Sequence, residues 1–292
     1  MKVLIAGGTG FIGTALIEAL ANKGANITLL SRKASIQTNS HIETIKWDGM
    51  KVPAFDKVFD VAINLSGAPI ASEKWTPKYK DLLISSRVNS TKAMVEFVNN
   101  QVNKELVFVN ASAIGIYGDR ADEVLDENSS AGRDFVSQLG VKWEQEASKA
   151  NVRTLMIRTG IVLSSKGGAL PSILKSIQLG VASYFGNGKQ YFSWIHIDDL
   201  VGAMLFLIEN KDAKGAFNMV SPNPIFYKDF VKRIKAIKYI FFLLPLPFFI
   251  PKILLGQRSF LILQSQRVIP AKLTNLCYQF KFSTLIEALK NI

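Results

Sequence analysis

The run Gly7-Gly8-Thr9-Gly10-Phe11-Ile12-Gly13 has the residue types and spacing of a phosphate cradle. Gly7 permits a tight turn, Gly10 lets the backbone approach a pyrophosphate closely, and Gly13 lets a following helix pack on the strand before it. The start of that helix offers free N–H groups and the positive end of its dipole to the phosphates. An apolar run, Lys2–Ala6, precedes the motif. After it, Phe11, Ile12, Ala15, Leu16, Ala19 and Leu20 recur at helical spacing. This strand, turn and helix order distinguishes a nucleotide turn from an ordinary glycine-rich one. It assigns Gly7, Thr9, Gly10, Phe11, Ile12 and Gly13 to the nucleotide.

The end of the second predicted strand addresses which nucleotide. An NAD site places an acid about 20 residues past the motif, on the ribose hydroxyls. Here that place reads Ser31-Arg32-Lys33, with no acid. A guanidinium binds a 2′-phosphate through paired hydrogen bonds, whereas a carboxylate repels it. The expected cofactor is therefore NADP(H), with an ordinary solvated Arg-Lys pair as the competing reading. Asp48, after the third strand, is a candidate acceptor for an adenine amino group, or else the first residue of an Asp-Gly turn. Leu65, Ser66 and Gly67, at the exit of the fourth strand, are small enough in combination to let backbone meet the cofactor ribose.

The elements that position these residues alternate. Strands are expected at Lys2–Ala6, Asn26–Leu30, Ile42–Ile45, Val58–Leu65, Leu106–Asn110 and Arg153–Arg158. Helices are expected over Phe11–Lys23, Lys78–Asn100 and Phe135–Lys149. The alternation predicts an α/β fold with a doubly wound parallel sheet. Beyond Arg158 the pattern loosens. Short strands near Tyr184 and Phe192–Ile195 lead to a helix over Asp198–Glu209. A basic helix over Phe226–Ile237, an apolar Pro-containing run at Tyr239–Ile250, an element over Leu254–Leu263 and a last helix over Thr284–Leu289 complete the chain. The expected division is a dinucleotide-binding domain over 1–220, with 159–195 contributing partly to a second lobe, and a small C-terminal domain of unknown function over 221–292.

The 292 residues carry a net charge of +12, and its distribution is uneven. Residues 1–150 hold 17 Lys and Arg against 17 Asp and Glu, whereas residues 221–292 hold 11 against 2. A uniformly basic nucleic-acid coat does not fit that distribution. One cysteine, Cys277, permits no internal disulfide, and two histidines, His41 and His196, make no zinc site. Cysteine usage and the lack of a signal core give a cytoplasmic expectation. The 12-residue run Tyr239–Ile250 is shorter than the ~20 residues that cross a bilayer.

GGTGFIG at 7–13, NLSGAPI at 64–70, SAIGIYG at 112–118, RTGIVL at 158–163, GGAL at 167–170 and SWIHIDDL at 193–200 together resemble the extended short-chain dehydrogenase/reductases. More narrowly they resemble the atypical epimerase-family branch, whose C-terminal domain of unknown function is similar to SQRVIPAKL at 265–273 and the following Phe280–Leu289. The resemblance implies a Rossmann fold, a C-terminal substrate lobe and bound NADP(H). It also implies a Ser or Thr working with a Tyr-x-x-x-Lys pair, in which the lysine lowers the tyrosine pKa. Ser112 matches the serine. No tyrosine of this chain is followed four residues later by lysine. The expected place for the pair is near Val136–Lys142, where Lys142 is present and Gln138 stands for tyrosine. Tyr117 is then the available proton donor, or a residue that only lines the pocket.

Arg87 is a candidate for a cofactor phosphate or an exposed helix arginine. His196 reads as structural, with Asp198 capping the next helix. The acidic run Asp119–Glu127 reads as a solvated loop. Two functions compete: an NADP(H)-dependent oxidoreductase or epimerase acting on a small carbonyl or hydroxyl substrate, and a non-catalytic NADP(H) sensor or scaffold. The basic and apolar stretch 228–250 has two readings of its own. It either touches a membrane surface or closes the second lobe or a homodimer interface.

Overall fold

Seven parallel strands form the central sheet: β1 (Lys2–Ala6), β2 (Asn26–Ser31), β3 (Ile42–Lys46), β4 (Val61–Asn64), β5 (Val107–Ala113), β6 (Arg153–Thr159) and β7 (Gly215–Met219). Their order across the sheet is β7-β6-β5-β4-β1-β2-β3. The structure is a computed structural model and describes residues 1–32, 41–177 and 180–292. Alternate side chains serve opposite faces. Val3 and Ile5 join the core beneath helices α1 (Phe11–Asn22) and α4 (Ile197–Glu209), which contribute Leu16, Leu20 and Met204. Leu4 and Ala6 join the core beneath α2 (Pro77–Asn99), which contributes Met94 and Val98. Burial on both faces explains why these strands read as continuous apolar runs.

The chain reverses its direction of travel across the sheet between β1 and β4. Such a reversal leaves a crevice at the carboxyl ends of the strands, where open α/β sheets bind their ligands. The glycine turn, the β4 exit and the end of β5 all meet this edge.

The doubly wound sheet expected from the sequence is present, with one strand more than the reading gave. β7 was missed because Gly215 and Asn218 interrupt its apolar pattern, although Phe217 and Met219 are buried. The basic helix is also shorter than expected. It spans Tyr227–Arg233 and continues only as a 3₁₀ turn, Ile234–Ala236. Part of the Pro-containing run is a strand, Phe242–Leu246, paired in parallel with Val181–Phe185. These pieces surround a separate core that includes Leu163, Phe192, Trp194, Phe230, Leu285 and Leu289. The Asp199 carboxylate stitches this lobe to the sheet, accepting from the N–H groups of Lys281 (2.7 Å) and Phe282 (2.9 Å).

Candidate functional site

Gly7 has φ +76°, and a Cβ there would lie 2.6 Å from the Leu65 carbonyl carbon and the Ser66 nitrogen. The glycine turn and the β4 exit thus touch backbone to backbone, which only glycine permits at this position. A Cβ at Gly13 would meet the Gly8 backbone at 2.5 Å, so that helix–turn contact is equally tight. Gly10 differs, because its nearest neighbour would be Gly7 O at 3.6 Å. Gly10 is also the N-cap of α1 and no side chain caps it. The first-turn N–H groups are therefore left for a ligand. Thr9 and Gly10 are exposed, Phe11 and Ile12 half-buried and Gly13 buried. The Phe11 ring lies under a second glycine loop, where a Cβ at Gly167 would meet it at 2.6 Å.

At the far end of the crevice, Ser31 is buried and its carbonyl accepts from Trp47 N at 2.8 Å. Arg32 follows it and is exposed, while Lys33 lies outside the described residues. Asp48 is exposed and its Oδ1 accepts from Met50 N at 2.9 Å, which closes an Asp-Gly turn.

The β4 exit is fixed from below. Asn64 Nδ2 donates to Thr91 Oγ1 (3.0 Å) and to Asn110 Oδ1 (2.9 Å), and the Trp143 ring N–H donates to Thr91 Oγ1 (3.0 Å). Asn64 Oδ1 in turn accepts from Ser66 N at 3.1 Å. Leu65 and Ser66 are half-buried and Gly67 is exposed. Ser66 Oγ is buried without a hydrogen-bond partner, an open polar position beside the glycine turn. Arg87 is not an exposed helix arginine. It crosses Gly67 and donates to the carbonyls of Ala68 and Leu83, both at 3.0 Å, with its guanidinium 5.1 Å from the Trp143 ring centre. Burial lowers its pKa to about 10.

Ser112 and Tyr117 belong to one buried chain of hydrogen bonds. Ser112 Oγ donates to Glu144 Oε1 (2.6 Å). The Glu144 carboxylate holds Arg158 through two bonds of 2.8 Å. Arg158 Nη1 donates to the Tyr117 hydroxyl (2.8 Å), which donates to Asn218 Oδ1 (2.7 Å). Tyr117 is fully buried, and its pKa is pushed up to about 12 by burial, against the pull of Arg158. For Arg158 burial works downward, but the Glu144 hydrogen bond and charge outweigh it and hold the pKa above the usual value. From the sequence, Tyr117 is either a proton donor or a residue that only lines the pocket. The structure instead commits its hydroxyl to Asn218 and Arg158, and the strand-end residue left exposed is Ala113.

The places expected for the Tyr-Lys pair are solvent-exposed. Gln138 and Lys142 stand on the exposed side of α3 (Phe135–Ala147). The side facing the 112–118 loop carries Val136 and Gly140, since a Cβ on Gly115 would meet Val136 at 2.7 Å and one on Gly140 would meet Ile116 at 3.0 Å. Neither residue exchanges a proton. His196 rather than Asp198 caps α4, its Nδ1 accepting from Asp198 N at 3.2 Å. Burial lowers the His196 pKa, and its ring packs on Phe282. The acidic run is not merely solvated. Glu127 accepts from Asn218 N (3.0 Å) and Lys272 N (3.3 Å), and Asp119 accepts from Ser265 N (3.2 Å).

Glu144, Asn218 and Glu127 had no assigned role in the sequence reading. A signal was available in Arg158, a charge that directly follows the apolar stretch Leu155–Ile157 of its strand and needs a buried partner.

A Rossmann crevice with this glycine turn defines a dinucleotide-binding fold. Residues 3–220 match the NAD dependent epimerase/dehydratase family, and residues 246–292 match a domain of unknown function, DUF1731. The chain belongs to the NAD dependent epimerase/dehydratase family. It is 35% identical to the Staphylococcus aureus (strain MRSA252) epimerase family protein SAR0825, covering 100% of this chain and 98% of that protein. It is 33% identical to the chloroplastic SDR39U1 homolog of Arabidopsis thaliana, covering 100% of this chain and 86% of that one. The crystal structure of the human epimerase family protein SDR39U1 (isoform 2) with NADPH superposes with a TM-score of 0.89 at 31% identity, covering 100% of this chain and 99% of that one.

Proposed function

We propose that this chain binds NADP(H) at the carboxyl edge of its sheet and exchanges hydride with a small carbonyl or hydroxyl compound. The carrying observation is the glycine turn: a left-handed Gly7 packed backbone to backbone against the β4 exit, an unobstructed Gly10, and an uncapped α1 N-terminus. These features fit a pyrophosphate. The unpartnered Ser66 Oγ and the exposed Arg32 are suitable contacts for the rest of the dinucleotide, Arg32 with Lys33 taking the 2′-phosphate. The NADPH in the human relative supports the same choice. When bound, the cofactor supplies the hydride. The chain's own residues hold the cofactor and shape the edge beside it.

Ser112 and Tyr117 enter this proposal as positioning residues. Their hydroxyls fix the end of β5 through Glu144 and Arg158, so in this reading the proton taken up by the reduced carbonyl oxygen comes from water. The proposed organisation keeps 1–220 as the cofactor domain and 221–292 as the substrate-side domain.

The Val136 and Gly140 positions favour one other reading, a non-catalytic NADP(H) sensor or scaffold. Following NADPH absorbance with purified protein across aldehydes, ketones, and nucleotide-sugar and quinone carbonyls separates the two. Turnover that survives Tyr117→Phe supports the proposal. Binding without turnover in any class supports the sensor.

A further inference from the structure

Among the described residues, 16 large apolar side chains are exposed, and nine of them lie between Tyr239 and Phe260. Tyr239, Phe241, Phe242, Phe249, Ile253 and Leu254 are between 59% and 86% exposed. Monomeric proteins rarely expose so dense an apolar patch without a partner for it. Core closure accounts for only part of the run: Ile240 and Leu243 face the second lobe's core, and their neighbours do not.

The backbone fixes this exposure. Phe241 N and Phe242 N both donate to Gly180 O (2.8 and 3.2 Å), and Gly186 N donates to Leu246 O (2.7 Å). The rings of Phe241 and Phe248 lie across Gly180 and Gly186, where a Cβ would sit 2.3 and 2.1 Å from ring carbons. The apolar ribbon is thus tied at both ends to the strand Val181–Phe185.

Charge identifies the occupant. Residues 228–252 hold six basic side chains and one acid, Asp229, which pairs with Lys232 at 3.6 Å. Lys232, Arg233, Lys235 and Lys252 are exposed. A second copy docked by a two-fold axis would set this basic flank against itself, with Asp229 as its only acid. An anionic lipid surface meets both requirements: aromatic and aliphatic side chains enter the headgroup layer while the cations stay beside the phosphates. We propose that the face formed by the ribbon Phe242–Leu246 and the helix Phe249–Leu255 docks the protein on anionic membranes.

The test is co-sedimentation of the full chain with vesicles of phosphatidylcholine, with or without phosphatidylglycerol. The expected result is salt-sensitive binding to the anionic vesicles only. Phe242→Glu with Ile253→Glu, and separately Lys232→Glu with Lys235→Glu, should each weaken it by about tenfold or more. Far-ultraviolet circular dichroism reports whether each variant is folded, and the lysine pair is exposed enough to leave the fold intact. The proposal is overturned by no binding at low salt, by equal binding to neutral vesicles, or by folded variants that bind as the parent does. A concentration-dependent dimer, abolished by the same changes and without vesicle binding, would give this face to a second copy instead.

Discussion

Arg158 and Glu144 are each 11% exposed at the side chain and hold one another through two bonds. Such a pair is costly to break, because the remaining partner keeps its charge without compensation. Glu144→Gln should therefore destabilise the fold by about 3–5 kcal/mol in urea unfolding. The lower end is expected, since Arg158 still reaches Tyr117 and the Glu127 carbonyl. Tyr117 adds a pH signature. Its phenol ionises at 10.0 when unperturbed and is pushed up to about 12 here, mainly by burial. An acid with a raised folded pKa keeps its proton longer in the native state. Its contribution is complete below about pH 10 and is lost as pH rises towards 12. Urea midpoints between about pH 9 and pH 11 should fall less steeply in Tyr117→Phe than in the parent. The slope should not vanish, because Tyr227 is also raised to about 12 by burial. The hydroxyl types were legible in the sequence, but their direction was not. Ser112 and Ala113 alternate across β5, and only packing determines which of them meets Glu144.

At the scale of elements, the turn between β1 and α1 separates two jobs that look alike in sequence. Gly7 is required by the fold, given its φ of +76° and its contact with the β4 exit. Gly10 has room for a Cβ, and in the proposed site only the approach of the pyrophosphate calls for glycine there. Gly7→Ala should cost roughly 1–2 kcal/mol from its left-handed backbone alone, with further loss from the displaced Leu65–Ser66 segment. Gly10→Ala should leave unfolding within about 1 kcal/mol of the parent while weakening NADPH binding. Chemical denaturation and cofactor titration of both variants check this; equal effects on stability would contradict it. Most of the sheet was readable because its strands are apolar on both faces. β7 was not, because its Gly215 and Asn218 break the pattern, and Asn218 is there to bond Tyr117 and the Ile269 carbonyl. The absence of a Tyr-x-x-x-Lys pair is legible from composition, but which face of α3 meets the 112–118 loop is not, because a helix face cannot be phased from spacing alone.

For the whole molecule, the charge asymmetry and its place in the chain are visible in the sequence, but the contacts its residues make in space are not. The acidic run 119–127 fastens the Rossmann half to the C-terminal segment, through Glu127 to Lys272 and Asp119 to Ser265. Of the basic excess, Lys232, Arg233, Lys235 and Lys252 are exposed and flank the exposed aromatic run in the chain. Those long-range contacts, more than 140 residues apart in the chain, leave no local signature in sequence. In the proposed NADP(H) site, Arg32 and Lys33 select the 2′-phosphate. Calorimetric titration of the parent and of Arg32→Ala/Lys33→Ala with NADPH and NADH tests it most directly. The predicted result is an NADPH preference of about tenfold or more, roughly 1.4 kcal/mol, that collapses in the double variant while NADH affinity is kept. Equal affinity for the two cofactors in the parent, or an undiminished NADPH preference in the double variant, would contradict it.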